Sequence, residues 1–226
     1  MKHMIPDARL QLVASLVPQG ARMADVGSDH AYLPVYLMQM GKIDSALATD
    51  VNEGPIRRAE SNIAKAGYTG KIGTRKCDGL DGIEDFAPDT VTICGMGGEL
   101  IASILSQSRY VLSAKPQLIL QPMTQVAFLR NYLTQNGYEI ISEHLCPEAH
   151  RLYQIIVCRY EALPKRELSA FAALSGEKTK DDPAYPLLLS KLKQQYEQIL
   201  AGKKQVGLDT SLEESILSEI DRNETH

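Results

Sequence analysis

The run Met23-Ala24-Asp25-Val26-Gly27-Ser28-Asp29-His30 constrains this chain more than any other. It reads as a short apolar strand that breaks at a glycine and passes into a helix. A second strand, Ala46-Leu47-Ala48-Thr49-Asp50, ends in an acid. Glycine at the first strand-to-helix turn lets the backbone approach a ligand closely, because no Cβ intervenes. An acid at the tip of the next strand can accept hydrogen bonds from both hydroxyls of a ribose. The pair describes a nucleoside-binding α/β domain.

The turn also narrows the choice of nucleoside. A dinucleotide site uses three glycines in G-x-G-x-x-G, so that a pyrophosphate rests on the helix N-terminus. Here one glycine is followed by Ser28, Asp29 and His30, and the Asp29 carboxylate would repel a pyrophosphate. A ligand with a ribose but no phosphate fits better. S-adenosylmethionine, with its sulfonium and amino-acid tail, is the common example.

Helical spacing of Leu10, Val13 and Leu16/Val17 predicts a helix over 6–17, ended by Pro18-Gln19-Gly20. Strands are predicted near 22–26, 45–50, 72–76, 90–94 and 117–121, with helices near 31–40, 54–66, 98–107 and 124–135. Such alternation means a parallel sheet covered on both faces. After Gly137 two β-rich runs, 138–146 and 151–160, flank the turn Pro147-Glu148-Ala149-His150. With no helix between them they should pair antiparallel. A seven-stranded, mostly parallel sheet closed by a hairpin is the class I (Rossmann-like) methyltransferase arrangement. The expected division is a methyltransferase domain over 1–162 and a helical hairpin over 163–226.

In that second segment Tyr185, Leu189, Leu192, Tyr196 and Ile199 form a coiled-coil-like heptad seam. Ala201-Gly202 and Gly207 interrupt it, and Leu212, Ile216, Leu217 and Ile220 give a second amphipathic helix. Lys and Arg outnumber Asp and Glu six to three over 178–204, and the balance is one to six over 205–226. Two helices of opposite charge suggest an antiparallel pair. Their charges either pair with one another, or the lysine-bearing helix also meets a polyanion.

Ligands bind doubly wound sheets at the carboxyl ends of the strands, where the strand order reverses. The candidate cofactor residues cluster at that edge: Asp25, Gly27, Ser28 and His30 after the first strand, and Asp50, Val51 and Asn52 after the second. Asp78 and Gly79 follow the third, and Gly95, Met96 and Gly97 the fourth. Asp50 can hold the ribose diol or cap the next helix. Asp78 can accept from the adenine amine or sit in a surface turn. The glycines of Gly95-Met96-Gly97-Gly98 suggest close backbone approach to ligand or substrate, or else a tight connection. Gly98, with Gln121 and Pro122 after the fifth strand, is assigned to substrate. Asp29 reads as a catalytic carboxylate or as an acid of the first helical turn. Tyr32, one helical turn on, can stack on a base or belong to the core.

A net charge of −4 neither indicates nor excludes an RNA partner, because polyanion affinity depends on local patches. Cys77, Cys94, Cys146 and Cys158 lack C-x-x-C or metal-ligand spacing, so reduced thiols and no metal are expected. No apolar run approaches the roughly 18 residues of a membrane span, and no signal-peptide pattern opens the chain, which predicts a cytoplasmic location without membrane contact. A monomer is expected.

Three runs carry a more specific likeness: Ala24 to Pro34 (ADVGSDHAYLP), Ile93 to Ile101 (ICGMGGELI) and Leu120-Gln121-Pro122-Met123. Together they resemble the bacterial TrmK family of tRNA (adenine-N1)-methyltransferases acting at nucleotide 22 in the D-arm. The likeness spans nearly the whole chain. It implies methyl transfer from S-adenosylmethionine to N1 of a tRNA adenine.

Adenine N1 carries its own lone pair, so no proton is removed before attack. Methylation makes the ring cationic, and Asp29 is the candidate to stabilise that charge or accept the N6 proton. Amino-directed enzymes often carry an Asn/Asp-Pro-Pro-aromatic motif where this chain has Gly95-Met96-Gly97-Gly98, which favours a ring nitrogen. Access to N1 requires extrusion of the base. Phosphate contacts are expected from among Arg57, Arg58, Arg109, Lys115, Lys191 and Lys193. The alternatives are a methyltransferase for ribosomal RNA, a small molecule or a protein, and a non-catalytic module that binds S-adenosylmethionine or RNA.

Overall fold

The structure, a computed structural model, describes residues 7–224. Strands β1 (Ala21–Val26), β2 (Ile43–Asp50), β3 (Ile72–Lys76), β4 (Thr90–Gly97) and β5 (Gln117–Thr124) lie parallel. A hairpin of β6 (Tyr138–Glu148) and β7 (Arg151–Tyr160) completes a seven-stranded sheet in the order β3-β2-β1-β4-β5-β7-β6. β7 pairs antiparallel with both β5 and β6, so β6 runs with the first five strands. The order reverses between β1 and β4, and that reversal opens a crevice at their carboxyl ends.

Strands with both faces covered need near-continuous apolar sequence. Met23, Ala24, Val91, Ile93 and Leu118 to Leu120 meet that need, and all are fully buried. On one face the core is closed by α1 (Ala8–Leu16), α2 (Tyr32–Gln39) and α3 (Glu53–Ala66). On the other it is closed by α4 (Gly98–Gln107), α5 (Arg109–Ala114) and α6 (Val126–Gln135).

The sequence-based boundaries shift in several places. The first residue of the helix predicted over 6–17 lies outside the described residues, and α1 begins after Asp7, whose carboxylate accepts from Leu10 N at 2.8 Å. α2 starts at Tyr32, so Asp29 is not in a helical turn with it. The hairpin turn is only Ala149-His150, because β6 continues through Pro147 and Glu148. Helices α5 and α7 (Ala170–Ser175) are additional elements, each capped by a serine, Ser108 and Ser169 respectively.

The C-terminal helices α8 (Tyr185–Gln205) and α9 (Ser211–Glu224) pack together. Lys193 reaches Asp221 and Glu224 while Lys203 reaches Glu213, so the helices are antiparallel. Ala201-Gly202 does not break α8, which runs on to a turn at Gly207 with φ +68°. Of the predicted seam, Tyr185, Leu189 and Leu192 are buried, but Ile199 is 37% exposed. These helices bury their apolar side against Leu145 and Leu152 of the β6–β7 hairpin.

A buried ion pair fixes that docking. Arg130 Nε on α6 donates to Glu143 Oε1 on β6 at 2.5 Å, and both side chains are 1% exposed. The guanidinium also donates to the carbonyls of Ala173 and Leu174 and to Gln154 Oε1. Glu143 Oε2 accepts from the backbone N–H of Lys178 at 3.0 Å. The pair's further hydrogen bonds thus go to Gln154 on β7 and to the segment that leads into α8, and such satisfaction is the condition under which a buried pair is tolerated.

Candidate functional site

A cavity of about 300 Å³ opens at the switch point. Its floor is the end of β1 and the turn Gly27 to His30, with Cys94 and Gly95 on one side. Asp7, Arg9 and Leu10 of the α1 region line it as well, with Tyr32 and Leu33. The volume suits a nucleoside-sized ligand. A roomier cavity of about 560 Å³ lies under residues 163–168, against the start of β6 at the other end of the sheet, away from these turns.

The turn is built by local chemistry. Gly27 adopts φ +71°, a conformation other residues resist. The thioether methyl of Met96 occupies the space a Cβ at Gly27 would need. Asp25 is buried, and its two oxygens accept from the hydroxyls of Ser28 and Thr92. Burial raises its pKa, and the two hydroxyl bonds partly offset that rise. Ser28 N donates to Thr49 O at 2.8 Å, tying the turn to β2. Asp25 and Ser28 thus hold the turn in shape and also line the cavity.

His30 and Ala31 both carry positive φ, +70° and +53°. Left-handed backbone at a non-glycine residue costs about 1–2 kcal/mol, and consecutive cases of this kind concentrate at functional sites. α3 offsets the cost at two points one helical turn apart. Asn62 Nδ2 donates to His30 O at 3.0 Å, and Arg58 donates through Nε and Nη2 to Asp29 Oδ1 at 3.0 and 2.7 Å. The His30 ring stacks on Tyr32 with centroids 4.9 Å apart and planes 7° from parallel. One face of Tyr32 is therefore already covered, while its side remains exposed at the rim.

Other predicted residues fall into place unequally. Asp50 ends β2 half-buried and accepts from Asn52 N at 2.7 Å. It folds the turn that carries Val51 and Asn52, and does not cap α3 itself. Gly95 has φ +81° with open space where a Cβ would stand. A Cβ on Gly97 would lie 3.2 Å from Thr124 Oγ1, and one on Gly98 would collide with the Gln125 carbonyl. The lack of a side chain at Gly98 therefore serves the α4–α6 junction; only Gly95 of this run looks into open space. Asp78 is exposed, and Gly79 packs on Ile104 of α4, outside the cavity.

Gln121 is fully buried, and its Oε1 accepts from Gly95 N at 3.1 Å and from Arg9 Nη1 at 2.6 Å. Its amide donates to Pro122 O, so it braces the site from behind. Pro122 is buried beside it. Arg109 opens α5, beyond the end of α4 remote from Gly98, and is not gathered into the site. Lys115 pairs with Glu161. Lys193 is held between Asp221 and Glu224, which raise its pKa. For Lys193, Lys203 and Lys204 the charges pair across the hairpin. Lys191 instead donates to His150 O at 3.2 Å, bringing α8 to the hairpin turn at the site's edge.

Arg9 and Asn62 are site residues the sequence reading missed. Arg9 bonds Asp7 and Gln121 and lies 5.6 Å over the Tyr153 ring. Its signal was a charged pair, Asp7 and Arg9, opening a helix just before the first strand. Asn62 was marked only by its position four residues after Arg58. The Ala8 N–H bonds Glu148 Oε1 at 2.9 Å, so α1 is tied to the hairpin turn as well.

The site can therefore offer an adenosine-bearing, zwitterionic ligand a glycine-floored cavity lined by carboxylates and by the Arg9 guanidinium. Open space above Gly95 and a guanidinium, Arg9, lining the same cavity as the Gly27 turn fit S-adenosylmethionine; Asp50, at the tip of β2, and the Val51 and Asn52 that follow it are not among the residues lining that cavity. Among the described residues no group of three or more His, Cys, Asp or Glu side chains is placed to hold a metal ion, and no helix is long and apolar enough to cross a membrane.

Comparison with known proteins identifies the family. Residues 7–156 match the family model described as a methyltransferase domain. The chain is 41% identical over 149 residues to the tRNA (adenine(22)-N(1))-methyltransferase of Bacillus subtilis, an alignment that takes in 66% of this chain and 63% of that protein. The crystal structure of the B. subtilis m1A22 tRNA methyltransferase TrmK superposes with a TM-score of 0.80 at 32% identity, covering 98% of this chain and 97% of that one. A Streptococcus pneumoniae protein solved with S-adenosyl-L-methionine superposes at 0.84 with 34% identity, covering 97% and 99%. A methyltransferase-domain match and end-to-end likeness to TrmK, on a sheet whose switch point carries the glycine turn, mean that this chain belongs to the TrmK family of S-adenosylmethionine-dependent tRNA (adenine(22)-N(1))-methyltransferases.

Proposed function

We propose that this protein transfers the methyl group of S-adenosylmethionine to N1 of adenine 22 in the D-arm of tRNA. The observation that carries the reading is one juxtaposition. A glycine-floored cavity at the β1/β4 switch point shares its rim with Asp29, His30 and Tyr32, on the edge that α8 reaches through Lys191 and His150.

When bound, S-adenosylmethionine supplies an electrophilic methyl group on a sulfonium. Arg9 holds the carboxylate of its amino-acid tail, and Asp50 takes the ribose hydroxyls at the tip of β2. Gly95 lets the ligand lie close to the sheet edge and Gly27 forms the turn beneath it, backed by Met96, while Asp78 and Gly79 stand beyond Asp50. The target base enters from the Asp29 side. Its N1 would take the methyl with its own lone pair as the methyl carbon–sulfur bond breaks and S-adenosylhomocysteine leaves, so the protein needs no general base for this step. Asp29 stabilises the positive charge that appears on the ring, and Tyr32 flanks the base. The remaining acceleration is positional, from holding nitrogen and methyl in line. Gln121 and Pro122 contribute by fixing Gly95.

Residues 1–162 carry the chemistry in this reading, and the helices of 163–226 take part in gripping the tRNA body, with Lys191 nearest the site. The protein acts in the cytoplasm as a monomer. Labelled methyl transfer to unmodified tRNA transcripts, followed by nucleoside analysis, tests the proposal. It predicts 1-methyladenosine that vanishes when the D-arm adenine is replaced. Product that persists after that replacement, or no transfer while cofactor binds, would overturn it. Asp29→Asn is expected to lower kcat with cofactor affinity unchanged.

A further inference from the structure

The Asp29–Arg58 pair presents an electrostatic problem. A carboxylate that stabilises a cationic base must act as a net negative charge. In the free protein, both Nε and Nη2 of Arg58 donate to one Asp29 oxygen, His30 Nε2 lies 3.5 Å from the other, and the Arg58–Asp29 pair is neutral overall. Neither side chain is buried: Arg58 is 48% exposed and Asp29 53%. Ion pairs this open to water are weak and exchange their partners readily.

Arg58 also belongs to a small basic surface. Arg57, 76% exposed, and Lys76, 57% exposed, flank it and share one acid, Glu53, at 3.3 and 3.9 Å. Three cations therefore share two ion-pair partners, Asp29 and Glu53, with Asp50 beside Lys76 in the sheet. A guanidinium matches a phosphate diester with two parallel hydrogen bonds, which a single carboxylate oxygen does not provide. Asn62 holds the same loop independently through His30 O, so the loop keeps its shape when Arg58 lets go.

We infer that Arg58 is a charge shuttle: it neutralises Asp29 in the free enzyme and moves to a backbone phosphate of the docked RNA, leaving the carboxylate to face the base. The exchange couples RNA docking to the release of the Asp29 carboxylate from its guanidinium, beside N1. The inference rests on the reading of Asp29 as the charge-stabilising carboxylate.

Steady-state kinetics on unmodified tRNA transcripts, with kcat and KM for tRNA separated over a series of salt concentrations, test it. Arg58→Ala should raise KM for tRNA about tenfold. It should also flatten the slope of log(kcat/KM) against log salt by about one, as the loss of one phosphate contact requires. Arg58→Lys should recover part of KM and most of the slope. If instead kcat falls while KM and the salt slope stay fixed, Arg58 holds Asp29 throughout the reaction and the shuttle is wrong. No change in any parameter would also overturn it. Asp29→Asn separates the two readings. Full kcat in that variant removes the role of Asp29, whereas Arg58→Ala added to it must still raise KM if Arg58 binds phosphate.

Discussion

Gly98 and Gln125 touch backbone to backbone: the first residue of α4 lies so close to the residue preceding α6 that a Cβ on Gly98 would run into the Gln125 carbonyl oxygen and stand 3.1 Å from that of Thr124. Backbone cannot step aside as a side chain can. Gly98→Ala is expected to destabilise the protein by about 1–3 kcal/mol, the usual cost of forcing extra volume into a filled space. Gly97→Ala, which meets only Thr124 Oγ1 at 3.2 Å, should cost less. Denaturant unfolding of both variants checks the order; equal midpoints would refute it.

Arg130→Met should be among the most damaging single changes. It leaves Glu143 buried without its cation and strips donors from the Ala173 and Leu174 carbonyls. Breaking a buried pair from one side costs about 3–5 kcal/mol. Replacing Glu143 by Leu in the same chain removes the stranded charge, so the double variant is expected to recover part of the loss. A double-mutant cycle by denaturant unfolding measures the coupling.

Asp25 makes stability depend on pH. Burial raises its folded pKa above the unfolded value, so the folded state keeps a proton that the unfolded chain releases. Its contribution is thus present below the unfolded pKa, near 4, and declines as pH rises through the folded value. Asp25→Asn removes the titration. The melting temperature of the ligand-free variant should fall less than the parent's as pH increases across that window; parallel pH profiles would show that Asp25 does not contribute.

Asn62→Ala removes the donor to His30 O from a loop with two left-handed residues. The lost hydrogen bond is worth about 1 kcal/mol of stability. The functional effect should exceed that: kcat falls because Asp29 and Tyr32 lose their fixed placement, while KM for tRNA stays near its parent value. A KM effect without a kcat effect would place Asn62 outside the positioning of the loop.

The parallel strands were legible because burial on both faces forces continuous apolar sequence, as in Leu118-Ile119-Leu120. The glycine turn and the acid ending β2 were equally plain, since each answers a local need. Short helices were harder. α5 and α7 are six residues each, too brief for a periodic pattern, and only the caps Ser108 and Ser169 marked them. Gly95 and Gly98 look alike in sequence, yet one faces open space and the other the backbone of α6. Contacts between distant segments left no local trace. Arg130 meets carbonyls 43 and 44 residues away, and Arg58 meets an acid 29 residues before it. Lysines 191 and 193 looked equivalent, but the first turns to the hairpin and the second to α9.

The Arg130–Glu143 clamp has a bearing on how the chain can be divided. The family match ends at residue 156, which invites a cut soon after β7. A chain shortened there would keep the whole sheet, and with it every residue that lines the candidate cofactor cavity. It would also keep a buried guanidinium deprived of two carbonyls, a carboxylate deprived of the Lys178 N–H, and Leu145 and Leu152 stripped of their cover. The part that matches the general methyltransferase-domain model is therefore shorter than the part that must fold together.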